Sequence, residues 1–330
     1  MKNKIRFACI LLAMFSISGM LFAQAAYEER KIAEEGSVTV RLAVMQGPTG
    51  FSSIGLSRDG GAISDNVKVE LSVYPSPNEV IARLASGELD MAALPANNAA
   101  NLYNKGVGVK AAAVVGEGML KVLSADASIQ DFSDLVGRTL AVPGANGTPD
   151  QVTRLLMRAA GLEVDKDIVL DYSVSAPAQL AQMVIGGKIL TAVLPEPFVT
   201  MILNQNPNVR VVADVQRLWS EAMGTGNYPM SVLVVSDAFR AKYPYAWEQV
   251  LDAYQVSVDW VNSNPAAAGA AIEEAGIMKA AMATPAIPSC SLVFRTAHDA
   301  KGDMQTYFKT LFDYSPSSIG GKLPDEAFYL

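Results

Sequence analysis

Two stretches roughly one hundred residues apart say nearly the same thing. Gly87 to Pro95 reads G-E-L-D-M-A-A-L-P, and Gly187 to Phe198 reads G-K-I-L-T-A-V-L-P-E-P-F. In each, a glycine closes a helix, a short apolar run suits a buried strand, and a proline ends that strand. Each also follows a helix-like segment with a proline near its start, Pro77 and Pro177. One helix–strand–loop unit built twice, so far apart in the chain, points to two similar lobes facing one another.

The rest of the chain falls into two series around these units. Val38 to Met45, Val67 to Tyr74, Leu89 to Leu94 and Val109 to Val115 read as strands. The segments between the first three carry helix signals, including Ser76-Pro77-Asn78-Glu79 with the form of a capping box. Alternation of this kind predicts a parallel, doubly wound α/β sheet. Gly116-Glu117-Gly118 breaks it, and an extended run from Met119 to Leu123 leads into a second series. There Thr139 to Val142, Ile168 to Val174, the opening stretch and Val209 to Ala213 supply strands. Thr148-Pro149-Asp150-Gln151 again has capping-box form. Tyr228 to Val235 reads as a strand crossing back, followed by helices, an alanine-rich helical stretch from Ala266 to Ala283, and a strand from Ile287 to Phe294. The expected division is 26–118 with 231–330 as one lobe and 119–230 as the other, with crossing strands near 115–123 and 228–235.

The first 25 residues stand apart. Lys2, Lys4 and Arg6 precede an apolar run to Phe22, and Ala23-Gln24-Ala25 has the small-x-small form of a signal-peptidase site. An exported, periplasmic location follows as the expectation. Cleavage near Ala25 leaves Cys290 without a partner for an internal disulfide. The chain carries a formal charge of −7, and losing those three cations makes it about −10. With no basic block, nucleic acid and anionic membranes are poor partners.

In an open parallel sheet, ligands sit beyond the carboxyl ends of the strands, where loops lead into helix N-termini. Four loops meet that description: Gly47, Pro48, Thr49, Gly50 and Phe51; Pro95 with Asn97 and Asn98; Asn146, Gly147 and Thr148; and Pro195 to Phe198. Glycine lets backbone approach a ligand, and free N–H groups bind acceptor oxygens. Thr49 and Thr148 are equally suited to capping a helix. Glu196 either caps the next helix or receives a ligand N–H, and Glu117, between glycines at the expected hinge, has the same two readings. Phe51, Phe198 and Tyr228 are either core residues, as aromatic residues in such numbers more often are, or walls of a cleft that stack against a flat ligand. None of these loops holds lysine or arginine, which suits a neutral, zwitterionic or ring-bearing ligand. One histidine, His298, and no metal-ligand or nucleotide-loop spacing leave little for catalysis, and no cofactor is expected.

Read together, G-P-T-G-F, G-E-L-D-M-A-A-L-P, D-L-V-G-R-T-L-A-V-P-G (Asp134 to Gly144) and the Glu196-Pro197 pair resemble ABC-transporter substrate-binding proteins. The resemblance is to the nitrate, sulfonate or taurine, and thiamine-pyrimidine-precursor group, and covers essentially the whole chain after the signal. It implies the type II periplasmic-binding-protein fold, two α/β lobes closing over a small-molecule ligand, and ligand contacts at the four loops. The implied partners are a membrane permease and its ATPase, with the receptor a monomer. Leu190 departs from the pattern, since an aspartate is more usual there, as Asp90 is in the first copy. The alternatives are an enzyme on the same fold acting on a thiamine or menaquinone precursor, or a ligand sensor for a membrane signalling partner.

Overall fold

The structure, a computed structural model, describes residues 36–330. The expected signal segment lies outside them. Strands β1 (Val38–Met45), β2 (Val67–Tyr74), β3 (Met91–Pro95), β4 (Val109–Glu117), β10 (Pro229–Ser236) and β11 (Leu292–Thr296) form one sheet. Its order is β11-β4-β10-β3-β1-β2. The second sheet holds β5 (Leu120–Ser124), β6 (Thr139–Ala141), β7 (Val169–Asp171), β8 (Thr191–Pro195) and β9 (Arg210–Asp214), in the order β7-β6-β8-β5-β9.

The two sheets share one plan. In the first, β1 runs parallel to β2 and β3, while β10 inserts antiparallel between β3 and β4. In the second, β6 runs parallel to β7 and β8, while β5 inserts antiparallel between β8 and β9. Each inserted strand follows directly on a passage from the other lobe. The crossings are therefore built into the hydrogen-bonded cores of both sheets.

The helices obey the expected alternation. In the six-stranded lobe α1 (Pro48–Ser53) follows β1, α2 (Pro77–Ala85) follows β2 and α3 (Ala96–Asn104) follows β3. In the five-stranded lobe α4 (Thr148–Ala159), α5 (Pro177–Ile185), α6 (Phe198–Gln205) and α7 (Val215–Met223) follow β6, β7, β8 and β9. The chain then returns to the six-stranded lobe through β10, α8 (Asp237–Lys242), α9 (Ala246–Ser263), α10 (Pro265–Glu274), α11 (Ala280–Ala286) and α12 (Lys301–Tyr314). The alanine-rich stretch is thus two helices, parted at Gly276, whose φ of +70° no helix accommodates. Residues 287–289 form a 3₁₀ turn, so β11 starts later than its apolar sequence suggests.

Both expected capping boxes fail in detail. Ser76 does cap α2 through the Asn78 N–H, but Glu79 turns to Arg83 instead of reaching back. Gly147, not Thr148, is the cap residue of α4, with no side-chain bond. Buried Asp150 takes the Asn146 N–H at 2.6 Å and is held by Arg154 and Tyr172, which leaves the Thr148 hydroxyl for other contacts.

Candidate inter-lobe site

All four loops lie at the carboxyl ends of parallel strands, and the two lobes meet there. Thr148 Oγ1, at the start of α4, is 3.4 Å from Asn97 Oδ1 in the first turn of α3. Gly47 faces Pro197: a Cβ added at Gly47 would lie 3.8 Å from Pro197 Cδ. Two loops of one lobe are thereby paired with two of the other. Gly47 adopts φ +100° at the end of β1, a conformation L side chains rarely take, so the sharp entry into α1 depends on glycine.

Within the six-stranded lobe, Thr49 does not cap α1. Its hydroxyl accepts from Met45 N–H and donates to the Met45 carbonyl, stitching the helix to the end of β1. Gly50 is buried and Pro48 half-buried. Phe51 is fully buried in the core that α1 shares with Ile54 and Tyr254, and it packs within its own lobe. Its neighbour Ser52 ties the loop to α9 through Tyr254 Oη at 2.8 Å and Ser257 Oγ at 2.6 Å. Asn97 is buried, while Pro95 and Asn98 beside it are half-buried.

Within the five-stranded lobe, Asn146 is exposed with φ +64° and Gly147 is half-buried. Glu196 is 3% exposed. Its N–H donates to the Met119 carbonyl at 3.3 Å, and its Oε2 accepts the Thr200 N–H at 3.0 Å. Capping α6 is therefore a role it performs. Burial raises its carboxyl above the usual range, against the opposing pull of the Thr200 N–H and the Lys121 ammonium. Across the lobe boundary its charge bears on buried Cys290, whose thiol is pushed up mainly by desolvation. Phe198 is half-buried and packs with Met282 of α11 on the core of the five-stranded lobe, where α11 meets α6.

Where the chain crosses between the sheets, Gly118 N–H donates to the Tyr228 carbonyl at 2.9 Å, and Asn227 Nδ2 donates to the Gly118 carbonyl at 3.1 Å. Position 118 has no room for a side chain, because a Cβ would lie 2.4 Å from the Tyr228 ring. Glu117 points to Arg295 at 3.2 Å, and Arg295 also pairs with Asp303 at 2.7 Å, so this carboxylate ties the end of β4 to β11 and α12. Tyr228 stacks with Tyr307 and meets Trp219 at a tilt in a core cluster that draws on both lobes.

Tyr307, Gln151 and Lys121 also lie near these loops, though the sequence did not single them out as contact candidates. Gln151 is buried one helical turn beyond Thr148 with an unpartnered Oε1, and Lys121 pairs with Asp214 behind Glu196. Tyr307 and Lys121 carry no local motif, and Gln151 reads only as the end of a capping box. Asp90, by contrast, is removed from the loops, at the amino end of β3. It accepts from Arg41 N, Nε and Nη2 at 2.8, 2.9 and 2.7 Å. Its counterpart Leu190 is 52% exposed at the equivalent end of the other lobe. A surface depression of about 860 Å³ opens beside Arg41 and Asp90, away from the four loops. Among the described residues no group of His, Cys, Asp and Glu can hold a metal, and no helix is long and apolar enough to cross a membrane.

The fold has close counterparts among solved structures. An ABC transporter protein from Parabacteroides distasonis is 29% identical, with a TM-score of 0.77 over 88% of this chain and 98% of that one. The periplasmic aliphatic sulphonate binding protein SsuA of Escherichia coli is 15% identical, with a TM-score of 0.69 over 88% and 97%. The periplasmic nitrate-binding protein NrtA of Synechocystis is 17% identical, with a TM-score of 0.57 over 72% and 66%. A comparison with curated proteins finds no match. The architecture is the type II periplasmic-binding-protein fold. The NMT1-like family model matches residues 34–275, and the chain belongs to that family.

Proposed function

We propose that this protein is an exported solute-binding receptor of an ABC importer, which captures a small metabolite between its lobes and presents it to a permease and ATPase. The observation that carries the reading is the pairing of four strand-end loops, two from each lobe, across a boundary crossed by two inserted strands. Ligand contacts to both lobes then favour the closed form, and hinge bending at 117–120 and 227–229 admits and releases the ligand. The working division is 26–118 with 231–330 against 119–230. Similar structures that carry the names of ABC-transporter, sulphonate-binding and nitrate-binding proteins support a transport role.

The contact set is Gly47, Asn97, Asn98, Gly147, Thr148 and the Glu196 loop, with Glu117 and Phe51 acting on structure. Binding proceeds without turnover, and the ligand is uncharged, zwitterionic or ring-bearing. A metabolite screen by thermal denaturation tests this, because a ligand that binds only the folded protein raises Tm by mass action. A shift accompanied by compaction in small-angle scattering supports the receptor. Turnover of a bound compound, or no shift with any metabolite, overturns it.

A further inference from the structure

Three aromatic residues meet where the lobes meet. Tyr228 precedes β10 at the hinge, Trp219 comes from α7 in the five-stranded lobe, and Tyr307 comes from α12 in the six-stranded lobe. The Tyr228 and Tyr307 rings stack at 5.8 Å and 16°, and Trp219 lies 5.1 and 5.7 Å from them. Each ring is 1% exposed. A buried phenol ordinarily finds a partner for its hydroxyl, because leaving it unpaired is unfavourable. Neither Tyr228 Oη nor Tyr307 Oη has a hydrogen-bond partner among the described residues. Thr148 lies near enough to act on the Tyr307 hydroxyl, yet outside hydrogen-bond geometry. Since Thr148 also meets Asn97, the two phenols continue the line of the cleft loops towards the hinge.

We propose that Tyr228 and Tyr307 form a subsite of the inter-lobe cleft that donates two hydrogen bonds to an uncharged carbonyl or amide oxygen of the ligand. The proposal rests on the receptor reading above. Burial holds both hydroxyls protonated, so they are donors throughout the physiological range. The Asp214 carboxylate acts on Tyr228, and the Lys121 ammonium is already committed to Asp214. Glu196 adds a further carboxylate among the loops. No cation among the described residues is thus left here to balance an anionic oxygen, which these carboxylates would repel, whereas a neutral oxygen needs none. The stacked rings favour a flat, compact molecule around that oxygen.

The test uses matched pairs that differ in this one group: nicotinamide against nicotinate, benzamide against benzoate, and pyrazinamide against pyrazinoate. Calorimetric titration and thermal denaturation are run on the purified protein and on Tyr228→Phe and Tyr307→Phe. An amide is expected to bind at least tenfold more tightly than its carboxylate. Each Phe variant is expected to lose tenfold or more in amide affinity, with its unliganded Tm unchanged or raised, because the ring stays and an unpaired hydroxyl goes. Preference for carboxylates, equal affinity in the variants, or an unliganded Tm lowered by about 3 °C or more would each overturn the subsite. A protein that binds other metabolites but no amide refutes the ligand class alone. One that binds no small molecule overturns the receptor reading, and the subsite with it.

Discussion

Thr148 and Asn97 belong to different lobes, yet Thr148 Oγ1 sits 3.4 Å from Asn97 Oδ1 with both side chains buried. The contact joins the first turns of two helices that each follow a parallel strand. It is the most direct polar link between the lobes at the strand-end loops.

With the proposed hinge closure, removing that link is expected to shift the balance towards an open form. A hydrogen bond of this kind contributes about 1 kcal/mol, which corresponds to roughly a fivefold change in the ratio of closed to open protein. Thr148→Val keeps the shape and removes the donor. Its ligand-free radius of gyration by small-angle scattering is expected to exceed that of the parent, and an unchanged radius would mean the contact does not govern closure.

Gly118 sets a steric test of the hinge. A Cβ there would overlap the Tyr228 ring at 2.4 Å, and overpacking of this kind costs about 1–3 kcal/mol. Gly118→Ala is expected to lower Tm measurably. The loss should shrink when Tyr228 is also reduced to alanine, since residues in contact do not act additively. Equal losses with and without the tyrosine ring would show that something other than this overlap is responsible.

Glu196 predicts a pH dependence with a definite sign. Its carboxyl is raised on folding by burial, so the folded protein binds the proton more tightly than the unfolded chain. Its contribution to stability is present below the ordinary carboxyl value of about 4.5 and is lost as pH rises through the raised value. Glu196→Gln retains an acceptor for the Thr200 N–H and removes the titration. The variant should match or exceed the parent in stability at pH 7, and its stability between pH 4 and pH 7 should change less. Paired urea titrations at several pH values measure this, and an identical slope in the two proteins would exclude Glu196 as its source.

Asp90 provides the contrast between stability and binding. Asp90→Ala strips three hydrogen bonds from Arg41, including one from its main-chain N–H. A loss of about 1–3 kcal/mol is expected from the unpaired donors. Because Asp90 lies at the amino end of β3, ligand affinity should stay within twofold of the parent. A large fall in affinity would place the ligand near the Arg41 depression, away from the four loops.

The amino-acid sequence alone determined the alternation of strands and helices, the repeat of Gly87–Pro95 in Gly187–Phe198, and so the two-lobed fold. Those signals are local: periodicity, prolines at helix starts and glycines at helix ends act within a few residues. The tertiary structure decided what the side chains do. Phe51 reads as either core or cleft wall in its loop, and its packing with Ile54 and Tyr254 places it in the core. Thr148 reads like a helix cap, but Asp150 takes the loop N–H and leaves its hydroxyl to Asn97. Glu117 reads as either a capping carboxylate or an acceptor for a ligand N–H, and Arg295, 178 residues further on, claims it. Tyr307 carries no signal at all, because its meaning depends on Tyr228 and Trp219 arriving from other parts of the chain. Even the opening repeat divides this way. Its strand and prolines are legible in sequence, while the burial of Glu196 appears only in the folded protein, where its carboxylate holds the Thr200 N–H.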